Sequence, residues 1–282
     1  METGIIKVAT CQFAVNGSVE HNSDKIQELM RQAKDGGADV VHFSECSLSG
    51  YAGIDFESFD GYDWDFLRAE TGKVMALAAE LKVWVVLGSS HQLTEPNKPH
   101  NSLYLINTDG EIVNRYDKRF CITNEMPHYT PGSRFVNFTI NGVACSLLIC
   151  FDLRFPEIYR ELKKQGVQCI FQSFYNARQQ GPSVHSDIMQ QSMQCRAATN
   201  YFWVSMTNSS GWYCPYASCF IQPDGKILAK LEDHKDGVTI NTVDINKEHY
   251  DPSKEFRAMA IEGGLSNGPE ISDDKSTTTN KI

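Results

Sequence analysis

The chain is 282 residues long, 41% hydrophobic and 22% charged, with a formal net charge of -9. That length suits one α/β unit with a large buried core, and the ordinary apolar content excludes disordered and fibrous classes. Its 26 basic residues are scattered among 35 acidic ones, which argues against nucleic acid as a partner, since that needs a basic stripe or patch.

Taken in chain order, Ile5–Phe13 reads as a first strand. It follows a start that lacks the basic flank and cleavage site of a secretory signal, so none is expected. Residues Asn22 to Lys34 place Ile26, Leu29, Met30 and Ala33 at helical spacing, and Gly36-Gly37 ends that helix. Val40–Phe43 is a short buried strand that delivers Ser44-Glu45, Phe66–Leu81 a second helix, and Val83–Leu87 a third strand. This β-α-β-α-β alternation implies parallel pairing with helices covering the sheet. Ser102–Ile106 and Ile112–Tyr116 flank Asn107-Thr108-Asp109-Gly110 as a hairpin. Phe135–Ile140 and Val143–Ile149 flank Asn141-Gly142 as another, with the strongest short turn signal in the chain. The second of these strands ends directly at Cys150. Beyond it, Glu157–Lys164 and Ser186–Ala198 read as helices and Val167–Phe171 as a strand. Tyr201–Met206, Ala217–Ile221, Ile227–Leu231 and Val238–Val243 complete a strand-rich end. From Gly263 the chain is polar, so residues 1–262 are expected to form the domain and 263–282 a flexible or docked tail. Mixed strands with covering helices suggest an α/β fold, a four-layer α-β-β-α sandwich.

The chemistry gathers where strands end. A thiol at the bend after Val143–Ile149 meets exposed backbone N–H groups, which lower a thiol's pKa and can hold an oxyanion. Glu45, also at a strand end, suits general acid–base work, and a fixed Lys118 ammonium would stabilise a thiolate. On residue type alone each has a bland reading: a buried inert cysteine, a surface carboxylate, a solvated lysine. Most of the nine cysteines lie within apolar runs, and Cys11, Cys145 and Cys169 read as small core residues. No Cys-x-x-Cys or His-x-x-x-His spacing occurs, so neither a metal nor a dithiol is signalled, and no cofactor is expected. A reducing cytoplasm fits, and no stretch is long and apolar enough to span a bilayer.

Three blocks then resemble the nitrilase superfamily of carbon–nitrogen hydrolases. They are Val8–Phe13 with Gly37–Glu45 and Gly50-Tyr51; Tyr116-Asp117-Lys118-Arg119 with Glu125 and Tyr129-Thr130-Pro131-Gly132; and Cys150-Phe151-Asp152-Leu153-Arg154-Phe155-Pro156-Glu157. The resemblance implies a catalytic Glu45, Lys118 and Cys150. It also implies a supporting Glu125 that orients Lys118 or the substrate, and the Phe151 N–H as second oxyanion donor. The third block looks most like the omega-amidase and Nit-type branch, which acts on small amides bearing a carboxylate. Arg154 would bind that carboxylate or pair internally with Asp152 or Glu157, and Tyr175, Asn176 and Arg178 would line the pocket. The family's usual proline before the glutamate is Ser44 here, and the acid expected in Arg196-Ala197-Ala198-Thr199-Asn200 is absent. A carbamoyl substrate, a nitrile and a non-catalytic binding protein stand as alternatives. Partners are a small amide or carbamoyl compound and water, with neither nucleic acid nor membrane, and a homodimer or larger homo-oligomer is implied.

Overall fold

Side chains alternate across a strand, so a strand buried on both faces feeds two cores at once. Strand β1 (Ile5–Gln12) does this: Ile6 and Val8 face one cluster of buried residues, while Ala9 and Cys11 face another. The computed structural model describes residues 2–176, 183–268 and 279. It falls into two units, Met1–Tyr250 and Asp251–Ile282.

In the first unit, helix α1 (Val19–Asp35) begins earlier than its apolar spacing suggests, because Ser18 caps it by accepting the His21 N–H at 3.3 Å. Strand β2 (Val40–His42), helix α2 (Trp64–Leu81) and strand β3 (Trp84–His91) follow, then the hairpin β4 (His100–Ile106) and β5 (Ile112–Asp117). These strands join β12 (Gly237–Asp244) in a six-stranded sheet ordered β12-β1-β2-β3-β4-β5, with β1, β2 and β3 parallel. The second sheet has β6 (Asn137–Ile140), β7 (Val143–Ile149), β8 (Cys169–Ser173), β9 (Trp203–Thr207), β10 (Cys219–Ile221) and β11 (Ile227–Lys230). Its order is β11-β10-β9-β8-β7-β6. Helices α3 (Pro156–Lys164) and α4 (Val184–Asn200) bury Leu162, Met189, Met193 and Ala197 in the same cluster as its strands. Ile26, Met30, Val74 and Leu77 of α1 and α2 cover the other face of the first sheet, over Ala9, Val41 and Val85. The layers are therefore α-β-β-α, as expected.

Among the strands that start later than their apolar runs suggest, β8 and β9 do so for one reason. Val167 is not a strand residue because its N–H closes on Leu162 O at the end of α3. Tyr201 sits in the left-handed region (φ 59°) as the cap of α4. In both cases the helix exit consumes the first apolar residues. The shift matters for β8, which consequently runs to Ser173 and presents Phe174 and Tyr175 at its carboxyl end. In the second unit, helix α5 (Lys254–Ile261) has no counterpart in the sequence expectations; its Arg257 donates to Asp251 at 2.9 Å.

Between the two sheets the packing is interrupted by buried hydroxyls around His42. Its Nδ1 lies 2.8 Å from Ser205 Oγ and its Nε2 2.8 Å from Ser173 Oγ, while Thr10 Oγ1 lies 2.8 Å from Ser205 Oγ. Burial lowers the His42 pKa from its ordinary 6.5 to about 3. The unfolded chain thus binds a proton near pH 6.5 that the folded chain refuses until near pH 3. The neutral ring's contribution is complete above 6.5 and is lost as pH falls below it. Against a His42→Gln variant, which cannot titrate, the wild-type stability advantage should shrink by about 2 kcal/mol between ~pH 7.5 and ~pH 5. Parallel stability–pH curves for the two proteins would contradict this.

Candidate active site

The segment after β2 carries Glu45 into the space between the sheets. It can pass only because β3 has a glycine there: a Cβ on Gly88 would meet Ser44 O at 2.0 Å. Glu45 is fully buried, and both of its oxygens are held. Oε1 accepts from Lys118 Nζ at 2.8 Å and from Asn101 Nδ2 at 2.7 Å, and Oε2 accepts the Tyr175 N–H at 2.9 Å. The backbone bonds again, Glu45 N–H to Phe174 O at 3.3 Å. One sheet supplies the carboxylate and the other part of its cradle.

Lys118 follows β5 and is pinned on both sides of its peptide: its N–H donates to Asn101 O and its carbonyl accepts from Gly132, each at 2.8 Å. That second bond requires Gly132 itself, since a Cβ there would lie 2.4 Å from Asp117 O. The Lys118 side chain is 2% exposed and donates to both Glu45 and Glu125. Burial lowers its pKa, but the charge of Glu45 raises it, as would that of Cys150 once ionised, together with the hydrogen bond to Glu45, and the net shift is upward. Lys118 is therefore a permanent ammonium. Glu125 also accepts from the Tyr51 hydroxyl and from the Ile122 N–H, the latter at 2.6 Å. Burial, then the charge on Glu45, pushes Glu125 up to about 9, so near neutrality it keeps its proton. The cluster thus avoids two buried anions on one cation.

Cys150 closes β7 and opens a single 3₁₀ turn, Cys150–Arg154. Its φ is +40°, a left-handed conformation rare for a residue with a Cβ, and it swings the thiol out of the strand direction. Asp152 holds the turn by accepting the Ile149 N–H at 2.9 Å and the Tyr116 hydroxyl at 2.6 Å; burial raises its pKa to about 6. The expectation that turn N–H groups depress the thiol's pKa is not met. Burial first, then the Glu45 carboxylate, hold the Cys150 thiol well above its ordinary range, with Lys118 pulling the other way. The thiol is protonated at rest and has a carboxylate beside it to receive the proton.

The remaining expected residues divide. Asn176 lies at the thiol, Nδ2 3.8 Å from Cys150 Sγ. Its Oδ1 accepts from the Tyr216 hydroxyl and its N–H donates to Asn208 Oδ1 at 3.1 Å, so the amide is turned with its NH₂ toward sulfur. Tyr175 binds Glu45 through its backbone N–H; its ring lies 5.6 Å from that of Tyr51, and its hydroxyl goes to Asp55 Oδ1 at 3.0 Å and Val15 O at 3.2 Å. Arg154 is exposed, its Nη2 3.5 Å from His185 Nδ1. Burial, then Arg154, lowers the His185 pKa, which keeps that neighbour neutral. Phe151 follows Cys150 in the turn, its ring 5.6 Å from that of Phe155. Arg178 lies outside the described residues. Sequence reasoning missed Asn101, Tyr51, Asn208 and Tyr216 as site residues; only Tyr51 carried a signal, standing beside Gly50 in the glutamate block.

Among the described residues no group of three or more His, Cys, Asp or Glu could hold a metal ion, and no helix is long and apolar enough to cross a membrane. Residues 7–249 match the family model for carbon–nitrogen hydrolases. The chain is 30% identical over 220 residues to a hydrolase in the agr operon of Staphylococcus lugdunensis, covering 74% of this chain and 88% of the relative. It is 25% identical over 229 residues to the 2-oxoglutaramate amidase of Bacillus subtilis, 79% of this chain and 85% of that one. Among solved structures, an amidase from Nesterenkonia sp. AN1, of the nitrilase superfamily, superimposes with a TM-score of 0.76 at 20% identity, covering 94% of this chain and 98% of its own. A variant of that amidase carries the acetamide moiety of fluoroacetamide covalently on its active-site cysteine.

Proposed function

Because this chain belongs to the carbon–nitrogen hydrolase family, we propose that it hydrolyses the terminal amide of a small carboxylate-bearing substrate through an acyl-thioester on Cys150. The observation that supports this most is the convergence of Glu45, Lys118 and Cys150 from three separate strand ends, with the carboxylate already in place as proton acceptor. In the first half-reaction Glu45 takes the thiol proton as Cys150 attacks the amide carbon. The oxyanion is held by the Lys118 ammonium and the Phe151 N–H, one of the N–H groups at the start of the turn. Asn176, with its NH₂ toward sulfur, steadies the thiolate. Glu45 returns the proton to nitrogen, the carbon–nitrogen bond breaks, and ammonia leaves. In the second half a water, deprotonated by Glu45, attacks the thioester; the carbon–sulfur bond breaks, Glu45 returns the proton to sulfur, and the acid leaves. Glu125 orients Lys118.

Arg154 is assigned the substrate carboxylate, which its fork can bind bidentately. The relative from Bacillus subtilis is named for a substrate of that class, an amide with a free carboxylate. The test is ammonia release from matched amides with and without a terminal carboxylate, alongside N-carbamoyl amines and nitriles. The carboxylated amides should show kcat/KM about 10- to 100-fold above the uncharged ones, in keeping with one charge-assisted bidentate contact. Equal rates for the uncharged amides would remove the role of Arg154. Carbon dioxide release from carbamoyl compounds, with no turnover of amides, would overturn the amidase reading.

A further inference from the structure

The buried hydroxyls around His42 form a chain whose direction is fixed by counting protons. A hydroxyl has one proton to give. Ser173 Oγ gives its proton to Phe43 O at 2.9 Å, so toward His42 Nε2 it can only accept, and Nε2 must carry the ring's hydrogen. In the neutral ring Nδ1 then accepts, from Ser205. With that proton committed, Ser205 receives from Thr10. Donation thus runs Thr10 to Ser205 to His42 to Ser173 to Phe43 O, crossing from one sheet to the other at every step.

The end of this chain lies next to the base. Phe43 precedes Ser44-Glu45, and its carbonyl takes a second hydroxyl from Thr207 at 3.2 Å, so the peptide leading into Glu45 is tethered twice to the opposite sheet. On that sheet, Ser173 runs directly into Phe174 and Tyr175, which bind the Glu45 backbone and Oε2. Resting on the assignment of Glu45 as base, we infer that His42 is a positioning residue for it. Through Ser173 it fixes the spacing of the two sheets at the point where the Tyr175 N–H must meet the Glu45 carboxylate. A histidine held only for packing would use its edge-on contact with Phe171, 5.2 Å between ring centres, and would leave catalysis alone.

The experiment measures kcat, KM and melting temperature for His42→Phe, His42→Gln, Ser173→Ala and Glu45→Gln. Misplacing a reacting group by about 1 Å costs on the order of a hundredfold in rate. His42→Phe should therefore lower kcat roughly 10- to 100-fold with KM within about twofold. His42→Gln, whose amide can still donate to Ser173, should recover kcat to within about threefold of wild type. Ser173→Ala keeps the ring but breaks the tether to Phe43, and should lower kcat about tenfold. A folded His42→Phe with wild-type kcat overturns the inference. If that variant does not fold, a wild-type kcat in Ser173→Ala overturns it instead. Equal kcat losses in His42→Gln and His42→Phe also overturn it, since the donor to Ser173 would then be irrelevant. Glu45→Gln separates the two levels: if it retains turnover, the base assignment fails. If it is inactive while the His42 and Ser173 variants turn over normally, only the positioning role fails.

Discussion

Replacing Cys150 by alanine is expected to lower turnover by roughly 10⁵-fold or more while leaving folding and substrate binding intact. In the proposed mechanism Cys150 has no substitute at hand: Asn176 is at the sulfur but carries no attacking group, and Cys121, half-buried nearby, has its thiol pushed up to about 11, chiefly by burial. Stability should hardly change. Alanine has the same Cβ as cysteine and is under the same constraint at φ +40°, and the turn is held by Asp152 rather than by sulfur. Ammonia release and the intact mass during turnover check this together. The wild-type protein should show an acyl adduct and the variant none. Residual activity above about 1% of wild type would show that Cys150 is not the nucleophile.

Lys118→Met is expected to remove both activity and stability. Losing one oxyanion donor typically costs 10²- to 10³-fold, and in the proposed mechanism the same group also supports the thiolate, so a fall of at least about 10³-fold in kcat is expected. Removing one partner from a buried charge cluster costs about 3–5 kcal/mol, because the other partners stay buried. Glu45 keeps its Asn101 and Tyr175 donors and Glu125 is already protonated near neutrality, which places the expected loss near the low end, about 3 kcal/mol. For a chain of this size that is a drop of roughly 6–12 °C in melting temperature. Lys118→Arg should not rescue activity, since a planar fork cannot take the place of a single Nζ held between Glu45 and Glu125. A Lys118→Met protein as stable and active as wild type would dissolve the cluster as an explanation of the site.

How far the sequence could be read depended on whether the signal was local. The order of the strands and of α1 to α4, the Asn141-Gly142 hairpin and the placement of Cys150 after β7 follow from apolar alternation and turn chemistry within about ten residues. The starts of β8 and β9 do not, because Val167 and Tyr201 are claimed by the helices before them. Glu45, Lys118 and Cys150 were legible as motifs standing at strand ends. Asn101 and Tyr216 were not, since their partners lie 56 and 40 positions away and nothing nearby marks them. The thiol's pKa was misjudged for a related reason. The turn's N–H groups are visible in the chain, whereas burial is a property of the folded packing and the Glu45 charge comes from the opposite sheet.

Strand β1 pairs antiparallel with β12, Ile5 against Asp244, so the first sheet lacks its edge until the last strand of the unit is in place. Glu45 meanwhile waits for Tyr175, 130 positions later, to complete its cradle. Contacts so distant in sequence form late in folding. A nascent or half-folded chain would thus display Cys150 as an ordinary thiol, with no base to arm it and no ammonium to welcome an anion. Acylation by a slow substrate could then serve as a stopwatch for the docking of one sheet on the other.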